Sequence, residues 1–400
     1  MNDRMNRGQW HAVTAGFLGW TLDAFDFFVV VFLVDTLAGA FAVDKKAIIW
    51  TLTATLAMRP VGAFIFGLLA DRYGRRLPMI ANVIFFSVIG FLCGFAPNYQ
   101  VFLLLRALYG IGMGGEWGIG ASLALEATPR KWRGLLSGLL QSGYSVGYLL
   151  AAVAARTIFP ALGWRWMFWI GGLPAMLALY IRANVPESTA WEQHRKHSFG
   201  EILREVGNYK GRFGYLVVLM TLFMFLSHGT QDLYPDFLKT VHQIPGKIVA
   251  NTAILYNVGA ILGAVIFGSL SQRLGRRRTI VAALTLCLLV LPLWSFGGSL
   301  TLLALGAFLM QVGVQGAWGI VPAHLNEMAP DAARGLMPGM VYQLGILFAA
   351  PTNQIEYALR DRFGYQWALA GFEVVTILCL ATAVMLGSEQ HGKSFHKDGR

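Results

Sequence analysis

Twelve apolar runs, each near or above the length of a bilayer's hydrocarbon core, recur along this 400-residue chain. A helix needs ~20 apolar residues to cross that core. With no water to satisfy backbone polar groups there, each run must close its own hydrogen bonds as a helix. Composition agrees: 56% of residues are hydrophobic and 13% charged, against roughly 25% charged in soluble domains. The expected fold class is therefore an all-α membrane protein with twelve transmembrane helices in two six-helix halves. The polar opening MNDRMNRGQW precedes a run without a small-residue cleavage site, so the first helix is expected to stay as an anchor rather than leave as a signal peptide.

The net charge of +11 raises the question of a nucleic-acid partner, and its distribution answers it. Most Lys and Arg residues fall in the termini and the even-numbered loops, the pattern expected if those face the cytoplasm. We expect a multi-pass protein of the plasma membrane, a bacterial inner membrane, with both termini cytoplasmic. The lipid bilayer is its partner; neither nucleic acid nor an obligatory protein partner is implied. Cys93, Cys287 and Cys379 lie in apolar runs and read as small hydrophobes. No metal-ligand cluster, nucleophile elbow or phosphate loop stands in a plausible context, so no metal, cofactor or enzyme activity is expected. The string GIGMGG supplies a literal G-x-G-x-x-G at Gly110, Gly112 and Gly115, but inside a membrane helix, where small residues serve close packing.

Laid over itself at an offset of 201 residues, the chain matches in four places without gaps. GLLADRYGRR (Gly67 to Arg76) falls on GSLSQRLGRR (Gly268 to Arg277), and GMGGEWGI (Gly112 to Ile119) on GVQGAWGI (Gly313 to Ile320). Glu126, Pro129, Arg133 and Gly134 fall on Glu327, Pro330, Arg334 and Gly335; Gly163 and Trp166 fall on Gly364 and Trp367. One constant offset marks a repeated unit. The expected domains are residues 1–183, a polar cytoplasmic connector 184–212, and residues 213–400. Parallel halves of this kind bind substrate between them near the midplane. The arrangement resembles the major facilitator superfamily, whose loop signature G-x-x-x-D-R-x-G-R-R is carried here by Gly67, Asp71, Arg72, Gly74, Arg75 and Arg76. Asp71, Arg72, Arg75 and Arg76, with Arg273 and Arg276 of the second copy, are the candidate gating residues. Gln272 replaces Asp71 in that copy, so the two gates are expected to differ in energy.

Ionisable groups within membrane helices are costly and default to function. The first helix carries Asp23 and Asp26 in GWTLDAFDFF, at i and i+3 on one face. Arg59 lies in the second helix, Arg106 and Glu116 in the fourth. Two charges of each sign can neutralise one another. Arg106 reads as a fixed partner of Asp26 or as part of a proton switch; the pairing resembles that of proton-coupled sugar carriers in the superfamily. Arg59 has no evident partner and suits a substrate carboxylate. Glu116 reads as a coupling group or as a cross-helix hydrogen bond. In the seventh helix, FLSHGTQDLYPD places Ser227, His228, Gln231 and Asp232 on one stripe, and the offset maps Asp26 onto Ser227, across the expected axis. An imidazole changes charge near neutral pH, so His228, Asp232, Asp23 and Asp26 are the proton-coupling candidates, with Arg106 and Glu116.

At these residues the resemblance narrows to the sialate:proton symporter family, lactate and monocarboxylate branch. Its seventh-helix pattern N-x-x-[ST]-H-x-x-Q-D-x-x-x-T is matched at Ser227, His228, Gln231 and Asp232; Met224 stands where Asn is expected and Asp236 where Thr is. The eleventh-helix YQLG element is Tyr342, Gln343, Leu344 and Gly345. The resemblance implies symport of a small monocarboxylate such as lactate or pyruvate with a proton, Arg59, Gln231, Gln343, Ser227 and Tyr342 forming the substrate site. The alternatives are symport of sialic acid and, in another class, a membrane sensor that moves nothing.

Overall fold

The computed structural model describes residues 5–193 and 197–395. The middle of the expected connector, residues 194–196, lies outside them, as do Arg4, Lys397 and Arg400 of the terminal charge. The described residues form helices without strands. Ten helical stretches are long and apolar enough to cross a membrane. They include α1 (Arg7–Phe32), α2 (Lys45–Tyr73), α3 (Arg76–Cys93), α5 (Arg133–Leu162), α6 (Trp164–Asn184), α7 (Lys210–Gln231), α8 (Gly246–Leu274), α9 (Arg276–Phe296), α10 (Leu300–Met328) and α12 (Tyr365–Leu386). The other two of the expected twelve are α4 (Tyr99–Ala127), which carries Arg106, Glu116 and Glu126, and α11, split into Met337–Ala349 and Thr352–Phe363 around Pro351. The twelve-helix architecture expected from the sequence is present.

Local sequence sets the helix ends. Asn6 and Gln9 form a reciprocal capping box at the start of α1, which satisfies backbone donors that would otherwise be orphaned. Gly74 and Gly275, 201 residues apart, close α2 and α8 at φ 99° and 90°, a conformation that costs a side-chain-bearing residue dearly. Gly163 and Gly364 repeat the device after α5 and α11. The repeat is thus written into the turns as well as the helices.

Four of the spans are interrupted among the described residues, α6 between Ile170 and Pro174. α7 stops at Gln231 and a short helix resumes at Tyr234; α10 breaks after Trp318; α11 breaks after Ala349. Interrupted helices at membrane depth are tolerated where they line a cavity or are buried in protein.

The halves meet closely at the end that carries Met5 and Phe395. There α5 runs against α8, and α11 against α2 and α4. The seam is made of main chain: Gly134 and Gly138 of α5 face Gly268 of α8, where a methyl on Gly268 would stand 2.9 Å from the Gly138 Cα. Gly118 of α4 faces Gly339 of α11 in the same way.

A pseudo-symmetric polar network locks this seam. Asp71 accepts from the backbone amides of Gly335 and Leu336, in the opposite half, at 2.7 and 2.9 Å. It also pairs with Arg75 at 2.6 Å, and Arg75 pairs with Glu126 at 2.9 Å. Glu126 reaches across to Arg334 at 3.5 Å. In the second copy Gln272 accepts from the Gly134 amide at 3.1 Å, and Arg276 pairs with Glu327 at 2.9 Å. Of the other gate candidates, Arg72 donates to the His197 carbonyl at 2.8 Å, Arg76 donates to the Arg182 carbonyl, and Arg273 is exposed.

Two flanking segments complete the lock. Glu187 accepts from the Arg75 and Arg76 amides at the start of α3, Ser188 donates to Glu126, and Trp191 donates to the Asp71 carbonyl. Burial pushes the Glu187 carboxyl above its ordinary range, and its bonds to the amides of Ser188, Arg75 and Arg76 oppose that. At the other end, Phe395 is buried over the guanidinium groups of Arg133 and Arg334, 3.5 and 4.2 Å from its ring centre.

Candidate functional site

Polar side chains gather on both sides of the seam. On the first half, close packing of α2 on α4 sets Arg59: the Gly114 Cα lies against the Arg59 backbone, where no side chain would fit. Arg59 is 3% exposed, and its Nε and Nη2 have no hydrogen-bond partner among the described residues. Its guanidinium carbon lies 5.9 Å from the ring centres of both Trp20 and Tyr342. Asp23 and Glu116 are close enough to feel its charge. The unpartnered Nε and Nη2 leave two donors of the planar fork free for a carboxylate, while the guanidinium also acts on the Tyr342 hydroxyl.

Asp23 accepts from the Tyr109 hydroxyl at 3.1 Å. Asp26 does not face α7 as the offset suggested. Its carboxylate is buried in its own half, against Gly90 of α3 and Gly171 of α6. The reason is that periodicity fixes the face of α1 a side chain occupies, while the space left by two glycines decides where it goes. Nor do Asp26 and Arg106 form a direct ion pair. Among the described residues both Asp26 oxygens and all three Arg106 nitrogens lack hydrogen-bond partners, and Arg106 lies over the Tyr109 ring at 4.3 Å. Glu116 is fully buried beside Gly19, both oxygens unpartnered among the described residues.

On the second half, the α7 stripe is only partly covered. The His228 and Asp232 side chains are 34% and 38% exposed and pair at 3.1 Å. Asn353, just past the α11 break, donates to Asp232 at 3.3 Å. Ser227 and Gln231 are half-buried; Gln231 donates to Gln311 of α10 at 2.9 Å, and Gln311 donates to Thr230 at 3.2 Å. Gln343 is fully buried and donates across the seam to the Gly114 carbonyl at 3.4 Å. An apolar groove of about 720 Å³ on the outer face, lined by Phe225, Phe363, Trp367 and Phe372, is separate from these groups.

Between the two sets stands an aromatic cluster that the motif reading did not single out, apart from Tyr342. The Tyr342 ring stacks on Trp117 at 4.3 Å and meets Trp318 and Trp20 edge-on at 5.7 and 6.1 Å. Trp20 stacks on Tyr144 at 5.5 Å. The repeat carried a signal for two of these residues, since Trp117 and Trp318 are offset mates. Glu356 of α11 and Glu373 of α12 were also missed. Both are buried, their oxygens unpartnered among the described residues, and Glu373 presses against Gly229 beside His228. Glu373 is a lone carboxylate in an apolar span, and intramembrane charge alone could have flagged it, whereas Glu356 sits in the polar stretch TNQIEYALRDRF and carries no such signal.

Comparison with known proteins places the chain among transporters. The family model described as "Sugar (and other) transporter" matches residues 10–201 and 213–389. A carboxylic acid transporter protein homolog of Saccharomyces cerevisiae is 31% identical, over 96% of this chain and 67% of its own length. The sialic acid transporter NanX of Escherichia coli is 28% identical, over 98% of this chain and 97% of its own. Among solved structures, the human organic anion transporter MFSD10 superposes with a TM-score of 0.79 at 16% identity, covering 95% of this chain and 100% of that one.

Proposed function

The chain belongs to the Sugar (and other) transporter family, within the major facilitator superfamily, and from that premise we propose that it moves a small monocarboxylate such as lactate or pyruvate together with a proton. The observation that carries the reading is Arg59, a buried guanidinium with two unpartnered nitrogens at the junction of the halves. A relative named for carboxylic acid transport supports the substrate class.

In this proposal residues 1–183 and 213–400 are the moving bodies, joined by 184–212, in an inner membrane with both termini cytoplasmic. The locked seam then closes the cytoplasmic side, and the partly exposed His228–Asp232 pair is reached from outside. The anion enters, gives its carboxylate to Arg59, and is bordered by Tyr342, Gln231 and Ser227. Gln343 joins them once its bond to Gly114 is released. A proton loads His228–Asp232 or the Asp23–Asp26 pair, with Arg106 and Glu116 setting the local field. A site with its charge compensated permits the halves to rock, since a net charge moved through low dielectric is costly. Release of the Asp71 and Gln272 bonds opens the other side.

The test is uptake of labelled lactate and pyruvate into proteoliposomes under an inward proton gradient. Accumulation that collapses with a protonophore is expected; folded protein that accumulates neither acid refutes the proposal. The relative named for sialic acid supports a second reading, sialic acid symport. Competition decides between them: inhibition of lactate uptake by sialic acid at lower concentration than by pyruvate would favour it.

A further inference from the structure

Trp117 and Trp318 are offset mates, yet their indole nitrogens have different surroundings. Trp117 Nε1 donates to Gln141 Oε1 at 3.4 Å. The residue 201 positions beyond Gln141 is Tyr342, which has no amide oxygen. Its ring stands 5.7 Å from Trp318 at 68°. Trp318 is 2% exposed, and its Nε1 has no acceptor among the described residues. Trp20, also 2% exposed and edge-on to Tyr342, leaves its Nε1 equally unpaired.

A buried donor without an acceptor is costly, because it gives up its bond to water and gains nothing. One such indole can be a packing accident: Trp169 leaves its N–H unpaired among Phe95 and Trp166. Around Tyr342 the cost is repeated. Two indoles and the free nitrogens of Arg59 surround one ring, and every one of these groups is a donor. A carboxylate satisfies the guanidinium fork; the indoles call for another acceptor in the same ligand.

We infer that the Trp318 and Trp20 N–H groups bind an oxygen on the carbon next to the substrate's carboxylate, so that the site selects 2-oxo and 2-hydroxy acids over plain alkanoates. The inference rests on the carboxylate reading above and adds two specificity residues to it. Replacement of a Gln by a Tyr at one repeat position leaves Trp318 free, whereas its mate remains engaged.

The experiment is calorimetric titration of the detergent-purified full chain with pyruvate and with propionate, which share charge and carbon number and differ in the oxo group. Wild-type protein is expected to bind pyruvate more tightly. Trp318→Phe and Trp20→Phe keep an aromatic ring and remove the donor. Each is expected to weaken pyruvate about five- to tenfold, the scale of one hydrogen bond, with propionate unchanged within about twofold. Trp117→Phe, whose N–H is already engaged, should move both acids alike. Equal wild-type affinity for the two acids overturns the inference, as does equal weakening of both acids in Trp318→Phe, or no weakening at all. Selective binding without gradient-driven uptake would instead overturn proton coupling and leave the subsite standing. Binding of neither acid overturns both.

Discussion

Removing Asp71 should open the seam far more than removing Gln272, although the two occupy the same position of the repeat. Asp71 accepts two backbone amides from the opposite half, at 2.7 and 2.9 Å. Gln272 accepts one, at 3.1 Å. Hydrogen bonds to a charged group contribute about 1.5–3 kcal/mol each, and neutral ones about 0.5–1.5. Asp71→Ala therefore removes at least ~3 kcal/mol of cross-half bonding and Gln272→Ala at most ~1.5. At 1.36 kcal/mol per tenfold, the open population rises more than about a hundredfold in the first variant and about tenfold at most in the second. Asp71→Ala also loses the 2.6 Å pair with Arg75 and Gln272→Ala the 3.2 Å bond from Arg276, but both contacts lie within one half, and Arg75 and Arg276 keep Glu126 and Glu327. The reporter is Ser137→Cys, a fully buried position whose hydroxyl accepts from the Ala323 amide across the seam, in a background with Cys379 replaced by alanine. Alkylation by a permeant maleimide reads the open population directly if opening outpaces the chemistry. Equal acceleration by the two substitutions would refute the reasoning, since it would mean that bond count and charge do not set the gate's energy.

Arg59→Gln is expected to raise the half-saturating carboxylate concentration by about 10- to 100-fold, one charge-assisted bond, while Arg59→Lys, which keeps charge but loses the fork, falls between; unchanged affinity in proteoliposome uptake removes Arg59 as the clamp. His228→Ala should abolish gradient-driven accumulation yet retain exchange of labelled for unlabelled acid. A wild-type pH profile of uptake in that variant takes His228 out of the coupling path. Phe395→Ala strips the ring from Arg133 and Arg334, contacts on the order of 0.5–2 kcal/mol, and should speed Ser137→Cys alkylation between about twofold and thirtyfold. No acceleration would mean that the tail decorates the lock without strengthening it.

Particular residues show what could be read in advance. The spans and the repeat were legible because bilayer length and a constant offset leave strong periodic traces, down to the paired turn glycines Gly74 and Gly275. The positions of Asp71 and Gln272, which bond across the halves, were legible for the same reason. The direction of Asp26 was not: spacing on α1 names a face, and only packing reveals that Gly90 and Gly171 leave the room. Gln343 illustrates the same limit, since a motif position says nothing of which carbonyl the amide finds. The tail was missed because HGKSF is polar and short, and its burial depends on two arginines far apart in sequence. Trp318 needed both kinds of information, its repeat mate from the sequence and the unpaired nitrogen from the structure.

The glycine seam between α5 and α8 has a consequence for how the halves part. Interlocked side chains can be withdrawn tooth by tooth, with many halfway registers. Where main chain meets main chain, at Gly134, Gly138 and Gly268, there are no such stops. Dispersion between them is short-ranged, a gap of 0.5–1 Å already forfeiting a quarter to a half of it, and the amide bonds of Asp71 and Gln272 fail over a similar distance. Opening is therefore a snap rather than a slide. In the proposed transport cycle the two halves would form a latch with two positions, with no half-open state through which a small ion could leak.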